Sequence, residues 1–260
     1  MLIKITNKCS MGCGHCMEDS TVAGAHMDAV TFAAALDFTE RVERAAYQAG
    51  CPRLVLLSGG ECTEHPDFSA MLDETLARDF QVLLITNGMW LADEALRGDI
   101  LRPERKGLLV QVVNDPRFYP KAPPRWEDPR ITYADHVPML ISLGRAARRR
   151  PKSNDPPARK YPASYNLRAL VREGRSFVAA IQFLRALGKE CAPAVNDDGS
   201  VVAGETRSCW KIGSVRSADE ELTEGVLRMG SCDRCGLERN LSQAQRRAAG
   251  ISALYLGTEG

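Results

Sequence analysis

The sequence predicts an α/β fold: a parallel sheet in a partial, open (β/α) barrel, followed by a small C-terminal cysteine-rich β-hairpin module. Three observations support this prediction. Short apolar runs alternate with segments of helical periodicity through the first half of the 260 residues, which is typical of βαβ units. Only five strand signals precede residue 190, fewer than a closed eight-stranded barrel needs. An Asp-Gly pair between β-forming residues then predicts a hairpin, and cysteines follow it.

The five predicted strands are short and mostly apolar. The first alternates apolar and polar residues before a cysteine-rich loop, and the compact apolar run 53–57 fits a buried strand of a parallel sheet. Their bounds are residues 2–6, 53–57, 81–85, 107–113 and 131–134. The hairpin is predicted over residues 195–202, where Asp198-Gly199 favours a tight turn.

Apolar residues spaced three and four apart predict helices between and after these strands. The predicted helices span residues 28–48, 68–78, 91–97, 138–149, 176–187 and 242–249. Residues 115–129 contain five prolines and three aromatic residues, which predicts a long loop or a lid. Residues 151–162 are a second proline-rich loop. Near residue 190 the alternation of strands and helices gives way to a predicted hairpin and cysteines. This change predicts two domains, 1–190 and 191–260.

Composition indicates a protein of the cytoplasm. No apolar run approaches the roughly 18 residues that a membrane helix needs, and the first residues show no secretory signal. We therefore expect a reducing environment, in which nine cysteines are better explained by metal or cluster ligation than by disulfides. No membrane partner is expected.

The formal net charge of +1 hides a basic segment. Between Arg145 and Arg175 there are ten basic and two acidic residues. We interpret residues 145–150 as a solvated helix end, and nucleic acid is not an expected partner. An anionic substrate such as RNA or a phosphorylated metabolite remains an alternative.

The first cysteines form a closely spaced triad. Cys9, Cys13 and Cys16 have the spacing C-x₃-C-x₂-C, and thiolates at these offsets can converge on one soft metal site. A cubane [4Fe–4S] cluster takes cysteine thiolates, and three ligands would leave one iron open for chemistry. Gly12 and Gly14 allow the loop to fold tightly. A zinc site, or a cluster that binds no further cofactor, remains an alternative at this point.

The triad resembles the motif of the radical S-adenosylmethionine (SAM) superfamily, where it follows the first strand. Ser58-Gly59-Gly60-Glu61, after the second predicted strand, is similar to the GGE motif of that family, which contacts the SAM amino group. Thr86-Asn87-Gly88 after the third strand matches a common family sequence, and Asn114-Asp115 ends the fourth. His15 stands where the family often has an aromatic residue beside the adenine. The resemblance covers residues 1–115 and 191–238.

This resemblance implies a fold, two cofactors and a set of site residues. It implies a barrel of the radical SAM type and an open iron that chelates SAM. It also implies reductive cleavage of SAM to a 5′-deoxyadenosyl radical that abstracts a hydrogen atom from substrate. The cofactor-binding residues that it implies are His15, Ser58, Gly59, Gly60, Glu61, Asn87 and Asn114. No catalytic residue is predicted. An external one-electron reductant such as flavodoxin or ferredoxin is the expected protein partner.

A second cysteine set lies in the last 70 residues. Cys191, Cys209, Cys232 and Cys235 could hold zinc or a second iron–sulfur cluster, and spacing does not separate the two. The segment resembles the SPASM/twitch extension of radical SAM enzymes, in its shorter twitch form with one auxiliary cluster. Cys191 is the least secure of the four ligands. Cys51 and Cys62 are predicted to bind no metal.

The expected reaction is a net oxidation of a small molecule. Two alternatives remain open. One is a peptide- or protein-modifying maturase of the RiPP type, and the other is a non-enzymatic iron–sulfur or zinc protein. A GGE-like turn argues against a simple electron carrier, which has no need of a SAM site.

Overall fold

The strands of the chain form one eight-stranded sheet in the computed structural model, which describes residues 1–48, 52–137, 140, 143–150, 152–156, 164–186 and 193–229. The order across the sheet is β5-β4-β3-β2-β1-β6-β7-β8. The strands are β1 (Leu2–Thr6), β2 (Leu54–Gly59), β3 (Gln81–Thr86), β4 (Leu108–Val113), β5 (Ile131–Ala134), β6 (Ala194–Val195), β7 (Ser200–Val202) and β8 (Lys211–Ser214).

The first five strands are parallel and neighbour one another in chain order. β6 pairs in parallel with the other side of β1, Leu2 opposite Ala194, and β7 and β8 then continue the sheet antiparallel. The predicted α/β fold with a mostly parallel sheet is thus confirmed. Among the described strands β5 and β8 are the edges. The curvature of a partial barrel and the boundary at residue 190 stay predictions.

Seven helices connect or flank these strands in the described part of the chain. They are α1 (Ala29–Gln48), α2 (Phe68–Ala77), α3 (Glu94–Ile100), α4 (Gly144–Arg148), α5 (Ser164–Arg172), α6 (Phe177–Ala186) and α7 (Asp219–Leu227). Two single 3-10 turns cover Cys62–Glu64 and Met89–Ala92. None of the helices in these residues is long and apolar enough to cross a membrane.

Some of these elements differ from the predicted ones. Of the helix predicted over 138–149, the described residues contain α4, which begins at Gly144 after an extended Leu143. α5, α7 and β8 were not predicted. Three acidic residues, Asp219, Glu220 and Glu221, occupy the first turn of α7 and were an available helix-start signal. The predicted helix 242–249 lies outside the described residues.

The two faces of β1 separate the core from the site. Ile3 and Ile5 are fully buried in the main hydrophobic core together with Phe32 of α1. Since successive side chains of a strand point to opposite faces, Lys4 and Thr6 lie on the other face, and both are buried polar residues. The sheet therefore has an apolar face under α1 and α6 and a partly polar face opposite.

Candidate functional site

A cavity of about 470 Å³ opens at the carboxyl ends of the parallel strands. This is the edge at which parallel α/β proteins place their ligands. Most of the predicted site residues line it together: Cys9, Cys13, Cys16, His15, Ser58, Gly59, Gly60 and Asn87. Two predicted residues, Glu61 and Asn114, are not among its lining residues.

The loop after β1 places the three thiols in an apolar setting. Cys9 and Cys13 are buried, Cys16 is half-buried, and Met11, Met89 and Tyr119 pack against them in a cluster separate from the main core. Backbone hydrogen bonds hold the loop: the Cys9 amide donates to Thr21 O (2.9 Å), and the Gly14 amide donates to Phe118 O (3.0 Å). The first of these hydrogen bonds joins the loop to the residues that follow it in the chain. The second joins the loop to the proline-rich segment.

Burial makes two of these thiols, Cys9 and Cys13, weaker acids while they carry no metal. It raises the pKa of Cys9 and raises that of Cys13 to about 12. A soft metal centre binds thiolates, so its insertion must release these protons.

The three thiols line one cavity. In a cubane, separate irons each take one thiolate. The donor set therefore fits a [4Fe–4S] cluster.

The Gly-Gly turn after β2 crosses directly over the cysteine loop. The Gly60 amide donates to Thr6 O (2.8 Å) and the Glu61 amide donates to Lys8 O (2.8 Å). A Cβ atom on Gly60 would lie 2.0 Å from Lys8 O, and one on Gly59 would lie 2.2 Å from Thr6 O. Gly59 also has φ +144. The glycines are thus required for contact between two loops, whereas the sequence had suggested that they admit a ligand.

Glu61 is a buried acceptor behind the cavity wall. Its Oε1 accepts hydrogen bonds from the Thr63 amide (3.2 Å), the Thr63 hydroxyl (2.8 Å) and the Thr86 hydroxyl (2.8 Å), and its Oε2 accepts from the Asn87 amide (2.8 Å). Burial raises the pKa of this carboxyl, and the hydrogen bonds act in the opposite direction. Four donors thus occupy the oxygens of Glu61 in this structure, and its contact with an ammonium group stays a prediction.

The two predicted asparagines have different places. Asn87 lines the cavity, and its Oδ1 accepts from the Met89 amide (2.9 Å). Asn114 is buried, and its Nδ2 donates to Lys121 O (2.9 Å) while its amide donates to Ala134 O (3.2 Å). Asn114 therefore anchors the proline-rich segment 115–129, and its contact with a cofactor stays a prediction.

His15 and the proline-rich segment form an aromatic wall. The His15 ring lies 4.8 Å from the Phe118 ring and 5.0 Å from the Tyr119 ring, centroid to centroid. Burial lowers the pKa of His15 to about 4, so its ring is neutral at pH 7. Its Nδ1 is buried without a hydrogen-bond partner among the described residues. Tyr119 lines the cavity and was not predicted as a site residue. Its position beside Phe118 in a proline-rich loop was the only feature of the sequence that could have indicated a role in the site.

The start of the basic segment is attached to the cysteine loop. Arg145 lines the cavity, its Nε donates to Cys13 O (3.0 Å) and its Nη1 donates to Ser20 O (2.7 Å). Arg149 binds both carboxylate oxygens of Asp155 (2.6 and 2.7 Å). The interpretation of residues 145–150 as a solvated helix end is therefore wrong for these two arginines.

A buried polar network joins the cysteine loop to the segment after β7. Lys4 Nζ lies 2.8 Å from Glu18 Oε1, and both side chains are less than a tenth exposed. The Arg207 amide donates to Glu18 Oε2 (2.9 Å), and the Arg207 guanidinium pairs with Asp197. Glu18 lines the cavity two residues beyond Cys16. One carboxylate thus connects β1, the cysteine triad and the loop that contains Cys209.

Of the second cysteine set only Cys209 is among the described residues. It is half-buried, and its Sγ lies 3.3 Å from the Thr206 hydroxyl. Cys191, Cys232 and Cys235 lie outside the described residues, as does Cys51, so the second ligand set stays a prediction. Cys62 is a fully buried thiol that is not among the cavity-lining residues.

Comparison with known proteins finds a match for the segment that contains the triad. The family model of the radical SAM superfamily matches residues 3–98. The cysteine triad, the Gly-Gly turn and Asn87 all lie within the matched residues. No curated protein sequence matches the chain.

Two solved structures resemble parts of the chain. SuiB of Streptococcus suis, bound to S-adenosylmethionine, is 19% identical over 44% of this chain and 24% of its own, with a TM-score of 0.32. BtrN, in complex with AdoMet and 2-DOIA, is 12% identical over 95% of this chain and 88% of its own, with a TM-score of 0.47. The chain thus spans about a quarter of the length of SuiB.

Proposed function

We propose that this chain is a radical SAM enzyme in which Cys9, Cys13 and Cys16 hold a [4Fe–4S] cluster and SAM binds in the adjoining cavity. The observation that supports this most strongly is that the triad lines one cavity together with Gly59, Gly60 and other residues of the matched segment. When bound, the two cofactors supply one-electron cleavage of SAM to a 5′-deoxyadenosyl radical, which abstracts a hydrogen atom.

The chain's own residues would orient SAM and limit access of water. Met11, Met89 and Tyr119 surround the thiols with apolar surface. The neutral ring of His15, beside Tyr119, offers a flat partner for the adenine. Asn87 offers a polar side chain on the same wall. Glu61 would act indirectly, because it holds the backbone of the Asn87 turn in place.

We propose a small polar molecule as the substrate, and a net oxidation as the reaction. Gln111 of β4, His136 after the end of β5, and Glu18 all line the cavity. These groups can hydrogen-bond a hydroxyl- or amine-bearing compound. Such an oxidation removes a hydrogen atom, and then one electron and one proton, from the substrate.

The released electron suggests a role for the second cysteine set. Cys191, Cys209, Cys232 and Cys235 are proposed to hold an auxiliary iron–sulfur cluster in a twitch-like module that extends the partial barrel. Support comes from the loop of Cys209, which Glu18 ties to the triad loop. A fully ligated cluster would have no open iron and would accept the electron. An external flavodoxin or ferredoxin in the cytoplasm would reduce the first cluster.

The triad is tested by anaerobic reconstitution with iron and sulfide. Dithionite and SAM should then yield 5′-deoxyadenosine, and replacement of Cys9, Cys13 and Cys16 with alanine should abolish that product. Cys62→Ala is the matched control, because this buried thiol does not line the cavity. Wild-type protein that retains zinc alone, with no iron, would contradict the proposal.

The second set is tested by metal analysis of the same preparations. About eight irons per chain are expected if both sites hold cubane clusters, and about four should remain in the triad variant. About four irons and one zinc in the wild-type protein would instead assign the second set a structural role.

A further inference from the structure

Arg145 fixes the carbonyl groups of the cysteine loop from a distant part of the chain. Its Nε donates to Cys13 O at 3.0 Å and its Nη1 donates to Ser20 O at 2.7 Å. Its backbone amide donates to Cys16 O at 2.9 Å. One residue therefore holds the loop at the second cysteine, at the third, and four residues beyond the third.

The chain before Arg145 is shaped for this approach. Gly144 has φ +53, and a Cβ atom there would lie 2.7 Å from Cys16 O and 2.9 Å from Met17 O. A side chain at position 144 would push the backbone of α4 away from the loop. The contact thus depends on a glycine followed directly by an arginine.

The guanidinium of Arg145 also lies at the cavity. Its side chain is 23% exposed and lines the cavity beside Cys13 and Cys16. Its Nη1 lies 3.6 Å from Asp19 Oδ1. A partly buried cation at this place would favour the more negative, reduced state of an iron–sulfur cluster, because charges interact strongly where water is excluded.

Arg148 is a matched comparison on the same helix. Its side chain is 65% exposed, and it pairs with Asp19 through both carboxylate oxygens (2.7 and 2.8 Å). It has the same charge and the same attachment to residue 19, but it is not among the cavity-lining residues. Its replacement removes one exposed ion pair, which contributes little.

We infer that Arg145 is a positioning residue for the cysteine triad, which fixes the loop around the cluster and raises the cluster's reduction potential. This inference rests on the proposed function, since it assigns the cluster to the triad. Residues that orient metal ligands commonly change metal affinity by roughly 10- to 100-fold when they are replaced. The guanidinium of Arg145 can act through its charge and through its two fixed hydrogen-bond donors. Arg145→Lys separates these contributions, because lysine keeps the charge and cannot donate from two fixed nitrogens.

The experiment compares wild-type protein with Arg145→Gln, Arg145→Lys and Arg148→Gln. Iron loss to a chelator and the reduction potential of the cluster are measured anaerobically. Arg145→Gln should lose iron roughly tenfold faster or more and show a more negative potential. Arg145→Lys should recover most of the potential but little of the iron retention. Arg148→Gln should resemble wild type, and circular dichroism checks that each variant is folded.

A second measurement needs no metal. In the reduced, metal-free protein, alkylation of Cys13 and Cys16 should be faster in Arg145→Gln than in Arg148→Gln, and alkylation of Cys62 should be unchanged. Equal iron loss, potential and alkylation in Arg145→Gln and Arg148→Gln would overturn the inference. If wild-type protein binds no iron, the proposed function fails, whereas the alkylation comparison still decides whether Arg145 fixes the loop.

Discussion

The buried carboxylate of Glu61 allows the scaffold of the site to be tested separately from its ligands. Glu61→Ala would leave two backbone donors, the partly buried amide of Thr63 and the buried amide of Asn87, without their acceptor. Each unpaired buried donor costs about 1–3 kcal/mol. The hydroxyls of Thr63 and Thr86 can rotate toward other acceptors, so they add less. The expected loss in unfolding free energy is therefore about 2–6 kcal/mol.

The isosteric variant should cost less, for a reason visible in the hydrogen bonds. Oε1 of Glu61 accepts three of them and Oε2 accepts one, from the Asn87 amide. In Glu61→Gln the amide nitrogen should take the Oε2 position and forfeit that single bond, at about 1–3 kcal/mol. Glu104→Gln, at an exposed position, is the control, and a change within about 0.5 kcal/mol is expected for it.

The assay is urea unfolding of the reduced, metal-free protein, followed by circular dichroism. With a slope of about 3 kcal/mol per molar urea, a loss of 3 kcal/mol shifts the midpoint by about 1 M. The urea midpoint should be highest for Glu104→Gln, lower for Glu61→Gln and lowest for Glu61→Ala. A Glu61→Ala midpoint equal to that of the control would refute the scaffold role. Reduced affinity for SAM with unchanged stability would instead indicate direct contact between Glu61 and the ligand.

Three further outcomes follow from contacts around the cavity. Gly60→Ala should destabilise the metal-free protein by roughly 2 kcal/mol or more, because its Cβ would meet a carbonyl oxygen at 2.0 Å. Gly98→Ala is the control: a Cβ at this position has nothing within 4 Å, so the change should be neutral or stabilising in the same urea assay. Lys4→Met should cost about 3 kcal/mol, since it leaves Glu18 buried without its ion pair, and adding Glu18→Gln should recover part of this in thermal unfolding. The Arg149 guanidinium holds the pKa of Asp155 at about 2, below its ordinary value of about 3.9. Its stabilising contribution is present above about pH 4 and lost as the pH falls through 2, so Asp155→Asn should flatten the decline of the unfolding midpoint between those values.

The sequence predicted the strands that position the site, because their signals are local. Each of β2 to β4 is a compact apolar run followed closely by polar or glycine residues, a pattern typical of strands in a parallel sheet, and β1 alternates apolar and polar residues before the cysteine loop. The cysteine triad and the Gly-Gly turn were found in the same way, since their spacing and residue types are themselves the signal.

The contacts that complete the site depend on residues far apart in the chain. The Arg145 side chain donates to a carbonyl group 132 positions earlier in the chain. The basic residues around Arg145 had instead predicted a solvated helix end. Glu61 faces inward because the Thr86 hydroxyl and the Asn87 amide donate hydrogen bonds to it there. These donors come close to Glu61 only because β2 and β3 pair in the sheet. The sequence alone therefore did not indicate that Glu61 and Asn114 are absent from the residues that line the cavity.

The position of β1 in the sheet has a consequence for the order of folding. β2 covers one side of β1, and β6 covers the other only after residues 194–195 are available. During synthesis, the first strand therefore keeps an unpaired edge while nearly two hundred residues are added, and such edges favour pairing with other chains. The cysteine loop follows this strand directly. We expect early chain lengths to be the most prone to aggregation, and the triad to reach its final shape only when β6 has docked.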